Sequence, residues 1–228
     1  LLVEGIFVST VAIIGAGPGL GLAVAQKFGQ SGFSIALISR TRQSLDALTA
    51  TLKEQGITAR GYVADARNPE QLRDALTQAA ADLGEIQVLQ YSPVPAGDFM
   101  KPVLETSAAD LIGPIEQSVY GPVTAINHVL PAMRERGAGT ILLINGSSAV
   151  RPNGNVTGTS IAFAAESAYG QMLHDALAPE GIHVAQLIIP HAIGASEPDH
   201  EPAALAETIF GLHENPSEFR TFVGGRAL

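Results

Sequence analysis

The stretch Thr10-Val11-Ala12-Ile13-Ile14-Gly15-Ala16-Gly17-Pro18-Gly19-Leu20-Gly21-Leu22-Ala23-Val24-Ala25 decides the fold. Five strand-forming residues run into a glycine-rich turn and out into a helix-forming run. Glycines permit the tight turn and let a pyrophosphate approach the free N–H groups of a helix start, where the helix dipole favours an anion. Strand, turn and helix together make a dinucleotide cradle. The spacing carries more information than the number of glycines. Counted as Gly-x-Gly-x-x-Gly from Gly15, the last position falls on Leu20 and the pattern fails; counted as Gly-x-x-x-Gly-x-Gly, it fits Gly15, Gly19 and Gly21.

Working outward, short apolar β-rich runs alternate with longer helical ones. Strands are predicted at Thr10–Ile14, Ser34–Ser39, Thr58–Val63, Ile86–Tyr91, Thr140–Asn145, His183–Ile189 and Thr221–Val223. Helices are predicted at Leu20–Ser31, Ser44–Gln55, Pro69–Leu83, Ser107–Arg136, Thr159–Ala178 and Pro202–Leu212. Gly32, Gly56, Gly84 and Gly137 sit just past helix ends, where a residue without Cβ is cheapest. Asn68-Pro69-Glu70-Gln71 supplies an N-cap, a first-turn proline and a glutamine able to close a capping box. Strands this apolar imply a sheet covered on both faces. The expectation is one doubly wound α/β domain of Rossmann type over residues 1–228, with a mostly or wholly parallel sheet of about seven strands and helices on both faces.

The 228 residues are 46% hydrophobic and 15% charged, with a net charge of −9. That balance argues against nucleic acid or anionic membrane as partner, since both demand a face of surplus cations. No apolar run reaches the ~20 residues of a bilayer span. Cysteine is absent, which excludes disulfides, thiol nucleophiles and Cys-ligated zinc and suits a reducing cytoplasm. Leu1–Val8 lacks a basic leader and an initiator Met, and is read as a poor signal peptide, in part non-native. The sequons at Asn145 and Asn155 are read as chance matches. Lysine occurs only at Lys27, Lys53 and Lys101.

An acidic residue at the end of the second strand would accept the adenine-ribose hydroxyls of NAD. Here the strand ends Leu37-Ile38-Ser39-Arg40-Thr41-Arg42, without Asp or Glu. The Arg40 guanidinium flanked by the hydroxyls of Ser39 and Thr41 suits a 2′-phosphate, which predicts NADP(H) as cofactor.

The Gly15/Gly19/Gly21 spacing resembles that of the short-chain dehydrogenase/reductase family. Val63-Ala64-Asp65-Ala66 is similar to the family's adenine-contacting turn, Gly121–Met133 to its long fourth helix and Gly181–Pro190 to its sixth strand. Order and spacing match from about Thr10 to Val223. The resemblance implies cofactor contacts at Gly15, Gly19, Leu20, Gly21, Asp65 and Ala66, and at Tyr91 and Ser92, which stand in the family's Asn-Asn-Ala-Gly segment. Its helix-four Asn becomes Ser118, and its catalytic Ser is Ser147 or Ser148. Its Tyr-x-x-x-Lys aligns with Ala162 and Glu166. In the family, that lysine holds the nicotinamide ribose and stabilises a tyrosinate. A cation about 4 Å away at an effective dielectric of about 20 supplies about 4 kcal/mol to such a phenolate, and Glu166 would reverse the sign. No Lys follows Lys101, so no other register restores it.

Substitutes for the missing phenol are Tyr91, at the sheet's ligand edge, and Tyr169, which shares a helical face with Ala162 and Glu166 but also suits the core or a subunit interface. Glu166 is read as a ribose hydrogen-bond partner or as a buried paired carboxylate. Pro190 and Ile193 are expected beside the cofactor, and His191 as an acid of near-neutral pKa. His191, Glu197, Asp199 and His200 form a loop cluster read as solvated rather than metal-binding. Two functions stay open. One is an atypical reductase giving hydride to a small carbonyl, imine or activated alkene, with Ser148 polarising the acceptor and Tyr91, His191 or water supplying the proton. The other is a catalytically silent NADP(H)-binding module. The small residues Ala162, Ala164, Ala165 and Ala168 predict a homodimer or homotetramer.

Overall fold

Strands and helices alternate in the order β1 Thr10–Ile14, α1 Leu20–Gln30, β2 Ser34–Ser39, α2 Arg42–Glu54, β3 Ala59–Val63, α3 Pro69–Leu83 and β4 Ile86–Tyr91. There follow α4 Ile112–Ile115, α5 Gly121–Arg136, β5 Gly139–Gly146, α6 Thr157–Leu177, β6 Ile182–Ile189, α7 Pro202–Glu214 and β7 Arg220–Phe222. The computed structural model describes residues 9–194, 197–216 and 218–225, so the reading of Leu1–Val8 lies outside the described residues. All seven strands are parallel, in the order β3-β2-β1-β4-β5-β6-β7. The chain reverses its direction of travel across the sheet between β1 and β4, and there the strands' carboxyl ends open a crevice.

Alternation along each strand sorts side chains onto two cores. Ile14, Leu89, Ile141 and Leu143 meet Leu76 of α3 and Ile126 of α5 on one face. Val11, Ile13, Leu37 and Leu142 meet Phe28 of α1 and Ile209 of α7 on the other. The glycines after the helices adopt positive φ, including Gly137 at 64° after α5. Asn68 caps α3, its side chain accepting from the N–H groups of Glu70 and Gln71. Gln71 does not close the box. Its Oε1 accepts instead from Asp65 N–H at 2.9 Å, pinning the turn after β3. Among the described residues no helix is long and apolar enough to cross a membrane.

Most boundaries lie within two residues of expectation, but the single helix expected over Ser107–Arg136 is broken into pieces. A 3₁₀ turn, Ala108–Leu111, leads to α4, then to a π-turn at Glu116–Tyr120, then to α5. The cause is written in the Gly113-Pro114 and Gly121-Pro122 pairs. Pro122 has no N–H, and its ring conflicts with the carbonyl four residues earlier. The chain widens into the π-turn, and Gly121 N–H donates to Glu116 O rather than to Gln117 O. Gln117 O is therefore bypassed: its α-helical donor is spent, and the next candidate is a proline.

The Tyr91 hydroxyl supplies the missing hydrogen bond, donating to Gln117 O from the end of β4. Gly121 has no room for a side chain, because a Cβ there would overlap the Tyr91 hydroxyl and lie 2.7 Å from Ala66 O. Tyr91→Phe leaves a buried carbonyl without a donor and is expected to cost about 1–3 kcal/mol. Gly121→Ala forces the packed layers apart at a similar cost of about 1–3 kcal/mol. Urea midpoints measure both; a Tyr91→Phe protein as stable as wild type would contradict the account of the π-turn.

Candidate functional site

The crevice at the ends of β1, β2 and β3 is a cleft of about 250 Å³. Gly15 forms its floor at φ 89°, a conformation L side chains rarely adopt, and a Cβ there would sit 2.5 Å from Pro93 N. Gly15 N–H and Ala16 N–H both donate to Ile38 O, closing the loop against β2. Gly21 lets α1 press onto the loop: a Cβ there would lie 3.0 Å from Ala16 Cα. Gly17 and Gly19 differ, for nothing lies within 4 Å of where their Cβ atoms would be. They present bare backbone to open space beside the start of α1, and Gly19 is its N-cap with Leu20 as first helical residue. That is the form an anion cradle requires.

The opposite rim carries Ser39, Arg40 and Thr41, joined by Ser44 from the first turn of α2. Arg40 is exposed and in no ion pair among the described residues. Thr41 is the N-cap of α2, yet its side chain makes no cap bond and stays available. The Ser39 hydroxyl is buried without a hydrogen-bond partner. An orphaned hydroxyl beside a free guanidinium and opposite a bare glycine backbone fits a phosphorylated nucleotide. Asp65 and Ala66 complete the wall, with Asp65 Oδ1 accepting from Arg67 N–H at 2.9 Å. A larger groove of about 640 Å³ runs along the β3 edge, lined by the Arg60–Asp82 ion pair, and belongs to the solvated sheet edge.

The end of β4 is built differently from expectation. Tyr91 is 1% exposed and its hydroxyl is committed to Gln117 O. Burial holds the phenol well above its ordinary pKa, and Glu166 and Asp65 add to the shift. The ring therefore belongs to the core, and it offers the cleft neither a proton nor a stacking face. Ser92 is likewise turned away from the cleft. Its N–H donates to Ile14 O, and its Oγ takes a hydrogen bond from Gln90 Nε2 at 2.9 Å. In their place Pro93, Val94 and Gln117 line the cleft. The Gly121-Pro122 pair, which expels the Gln117 carbonyl from its helix, was the sequence signal for that last residue.

Ser147 and Ser148 lie in a 3₁₀ turn after β5, with Ser148 buried and Ser147 partly exposed. α6 packs on this turn and on the π-turn, so the elements carrying Ser148, Ser118, Ala162 and Glu166 meet. Ala162 and Glu166 both point inward. Burial pushes the Glu166 carboxyl up to about 8 despite a hydrogen bond from Asn145 Nδ2, 3.0 Å from Oε2. Its Oε1 has no partner. Asn145 in turn belongs to a chain of buried amides reaching Arg220 on β7. Polar letters inside otherwise apolar strands, Asn145 and Gln186, were the available signal for this chain. Tyr169 packs half-buried against the core, and burial raises its pKa.

Beyond β6, Pro190 is partly buried while His191 and Ile193 are exposed, and none of the three lines the cleft. His191 lies instead with its ring 5.2 Å from that of buried His200. Ligand atoms of Glu197, Asp199 and His200 fall within 4.8 Å of one another, but His200 Nδ1 is already bonded to Asp199 Oδ1 at 2.7 Å. Residues 195 and 196 of this loop lie outside the described residues.

A family model described as short chain dehydrogenase matches residues 9–196. The chain is 26% identical over 167 residues, 73% of its length and 59% of the relative's, to dehydrogenase/reductase SDR family member 4 of Homo sapiens. It is 28% identical over 199 residues, 87% of this chain and 77% of the other, to (2S)-[(R)-hydroxy(phenyl)methyl]succinyl-CoA dehydrogenase subunit BbsC of Thauera aromatica. It thus spans about three fifths of the first relative's length. Among solved structures, a short-chain dehydrogenase from Rhodopseudomonas palustris aligns with a TM-score of 0.84 at 26% identity, over 96% of this chain and 99% of that one. A metagenomic short-chain oxidoreductase in complex with NADP has the same fold, with a TM-score of 0.84 at 20% identity over 94% of this chain and 96% of that one. With the glycine loop, the parallel sheet and a matching family model over most of its length, this chain belongs to the short-chain dehydrogenase family.

Proposed function

We propose that this protein is an NADP(H)-dependent oxidoreductase that passes hydride to a small carbonyl, imine or activated alkene and draws its proton from a source other than the family's Tyr-x-x-x-Lys. The observation that carries the cofactor assignment is the rim of Ser39, Arg40 and Thr41 facing the glycine loop, with no carboxylate at the end of β2. Arg40 meets the 2′-phosphate with charge-assisted hydrogen bonds, and Ser39 and Thr41 add hydroxyl donors. NADPH, when bound, supplies the hydride. Ser148 polarises the acceptor from the turn after β5. Because the Tyr91 hydroxyl is committed to Gln117 O, the proton comes from His191 or solvent.

A second reading, a silent NADP(H)-binding module, is favoured by one observation: Ala162 and Glu166, aligned with the family's Tyr and Lys, are both sealed in the core. Turnover separates the two. A carbonyl and imine panel with NADPH is expected to give wild-type activity lost in Ser148→Ala. Binding without turnover, with activity gained by the Ala162→Tyr/Glu166→Lys double variant, selects the module.

The cofactor preference has its own test. Fluorescence titration is expected to show NADPH binding at least about tenfold tighter than NADH, equivalent to about 1.4 kcal/mol, with Arg40→Asp reversing the order. Equal affinities would overturn the assignment.

The protein is further inferred to be a homodimer or homotetramer, packed through α6. Ala162 is not part of that face, since it points into the core; Ala164 and Ala168 are exposed, as are Ile161 and Met172. Sedimentation is expected to show a dimer or larger species dissociated by Ala168→Arg; a monomer at all concentrations would refute it.

A further inference from the structure

Arg220 stands on β7, an edge strand of the sheet, and its guanidinium reaches inward. Nε donates to Gln186 Oε1 at 2.9 Å, and Nη2 donates to Ser167 Oγ at 2.8 Å. Ser167 Oγ, accepting from the guanidinium, gives its own proton to the same Gln186 Oε1 at 2.9 Å. Gln186 Nε2 then donates to Asn145 Oδ1 at 2.8 Å, and Asn145 Nδ2 donates to Glu166 Oε2 at 3.0 Å. A chain of amides read alone runs equally well in either direction, because each amide carries a donor end and an acceptor end. A guanidinium carries donors only. Placed at one end, it fixes both amides, so that the hydrogen bonds from the guanidinium through Gln186 and Asn145 run from β7 across β6 and β5 to Glu166 on α6.

We propose that Arg220 is a positioning residue for Glu166: through Gln186 and Asn145 it makes Oε2 the accepting oxygen and leaves Oε1 as the atom that holds and presents the carboxyl proton. This rests on the reading that Glu166 stands where the family's lysine would face the nicotinamide ribose. Glu166 Oε1 is buried without a partner, and a buried hydroxyl of this kind is a donor awaiting an acceptor. Glu166 is 1% exposed, and Tyr91 from β4 is the titratable side chain coupled to it among the described residues. Among the described residues no cation contacts it, since Arg220 acts two amides away. Without the guanidinium the amides are free to reverse, Asn145 Oδ1 turns to the carboxyl, and Glu166 is compelled to be the donor. Loss of Arg220 therefore holds the proton on Glu166 to higher pH.

The experiment is an isotope-edited infrared titration of the Glu166 carboxyl in cofactor-free protein, following the protonated carbonyl band from pH 5 to 9. Arg220→Gln leaves a side chain that still hydrogen-bonds but carries both a donor and an acceptor end, so direction is lost. It is expected to move the midpoint upward by about one pH unit, a tenfold change in proton affinity, and Arg220→Lys to restore part of it. An unmoved midpoint in folded Arg220→Gln, or a wild-type carboxyl ionised across the whole range, overturns the proposal. Stability gives a second measurement should the band be obscured. The folded Glu166 pKa of about 8 against an ordinary 4.5 means a contribution present in full below 4.5 and lost as pH rises through about 8. Arg220→Gln is expected to extend that decline to higher pH, and Glu166→Gln to abolish it; Arg220→Gln declining exactly as wild type does refutes the coupling. NADPH added to wild type tests the underlying reading separately, since a band that ignores the cofactor removes Glu166 from the cofactor site while leaving the Arg220 coupling intact.

Discussion

The carbonyl of Gln117 is abandoned by its own helix, and much of the site follows from how it is satisfied. Pro122 offers no donor, Gly121 N–H is drawn to Glu116, and a buried carbonyl left bare costs about 1–3 kcal/mol. The phenol of Tyr91 meets it. One hydrogen bond thus ties the end of β4 to the π-turn, forces residue 121 to be glycine, and leaves the Gln117 side chain beside the cleft, where its amide reaches Val94 O. The same bond consumes the hydroxyl best placed, by sequence position, to serve as a proton donor. Structural satisfaction and catalytic availability compete for one atom, and the fold takes it.

The second organising constraint is the direction of the buried amide chain. Asn145 and Gln186 sit in strands that otherwise bury aliphatic side chains, and an unpaired amide there is costly. Anchored by the guanidinium at one end, the chain ends on a carboxyl whose pKa burial raises. The chain thus ties an edge-strand guanidinium to a carboxyl sealed in the core.

The two ends of the cleft were unequally legible from sequence. Gly15, Ser39, Arg40, Thr41, Asp65 and Ala66 line one cleft. They lie at the ends of β1, β2 and β3 or in the turns that immediately follow, and a parallel sheet brings these to one edge whatever else the chain does. Tyr91, Ser92, Pro190, His191 and Ile193 also follow strand ends, yet none lines that cleft. Sequence position set their place on the edge, but the direction of the Tyr91 side chain depended on a partner 26 residues further along the chain, Gln117.

The order of elements, the parallel sheet, the glycine loop and the absence of any lysine beyond Lys101 were determined by the sequence alone, because each depends on local periodicity, local backbone freedom or simple presence. The break in the helix before Gly121, the burial of Tyr91 and of Glu166, and the hydrogen-bond chain from Glu166 to Arg220 were decided only in three dimensions. Each turns on whether a polar group finds a partner once water is excluded, and residues as far apart in sequence as Arg220 and Glu166 are joined through Gln186 and Asn145 only when the strands between them align.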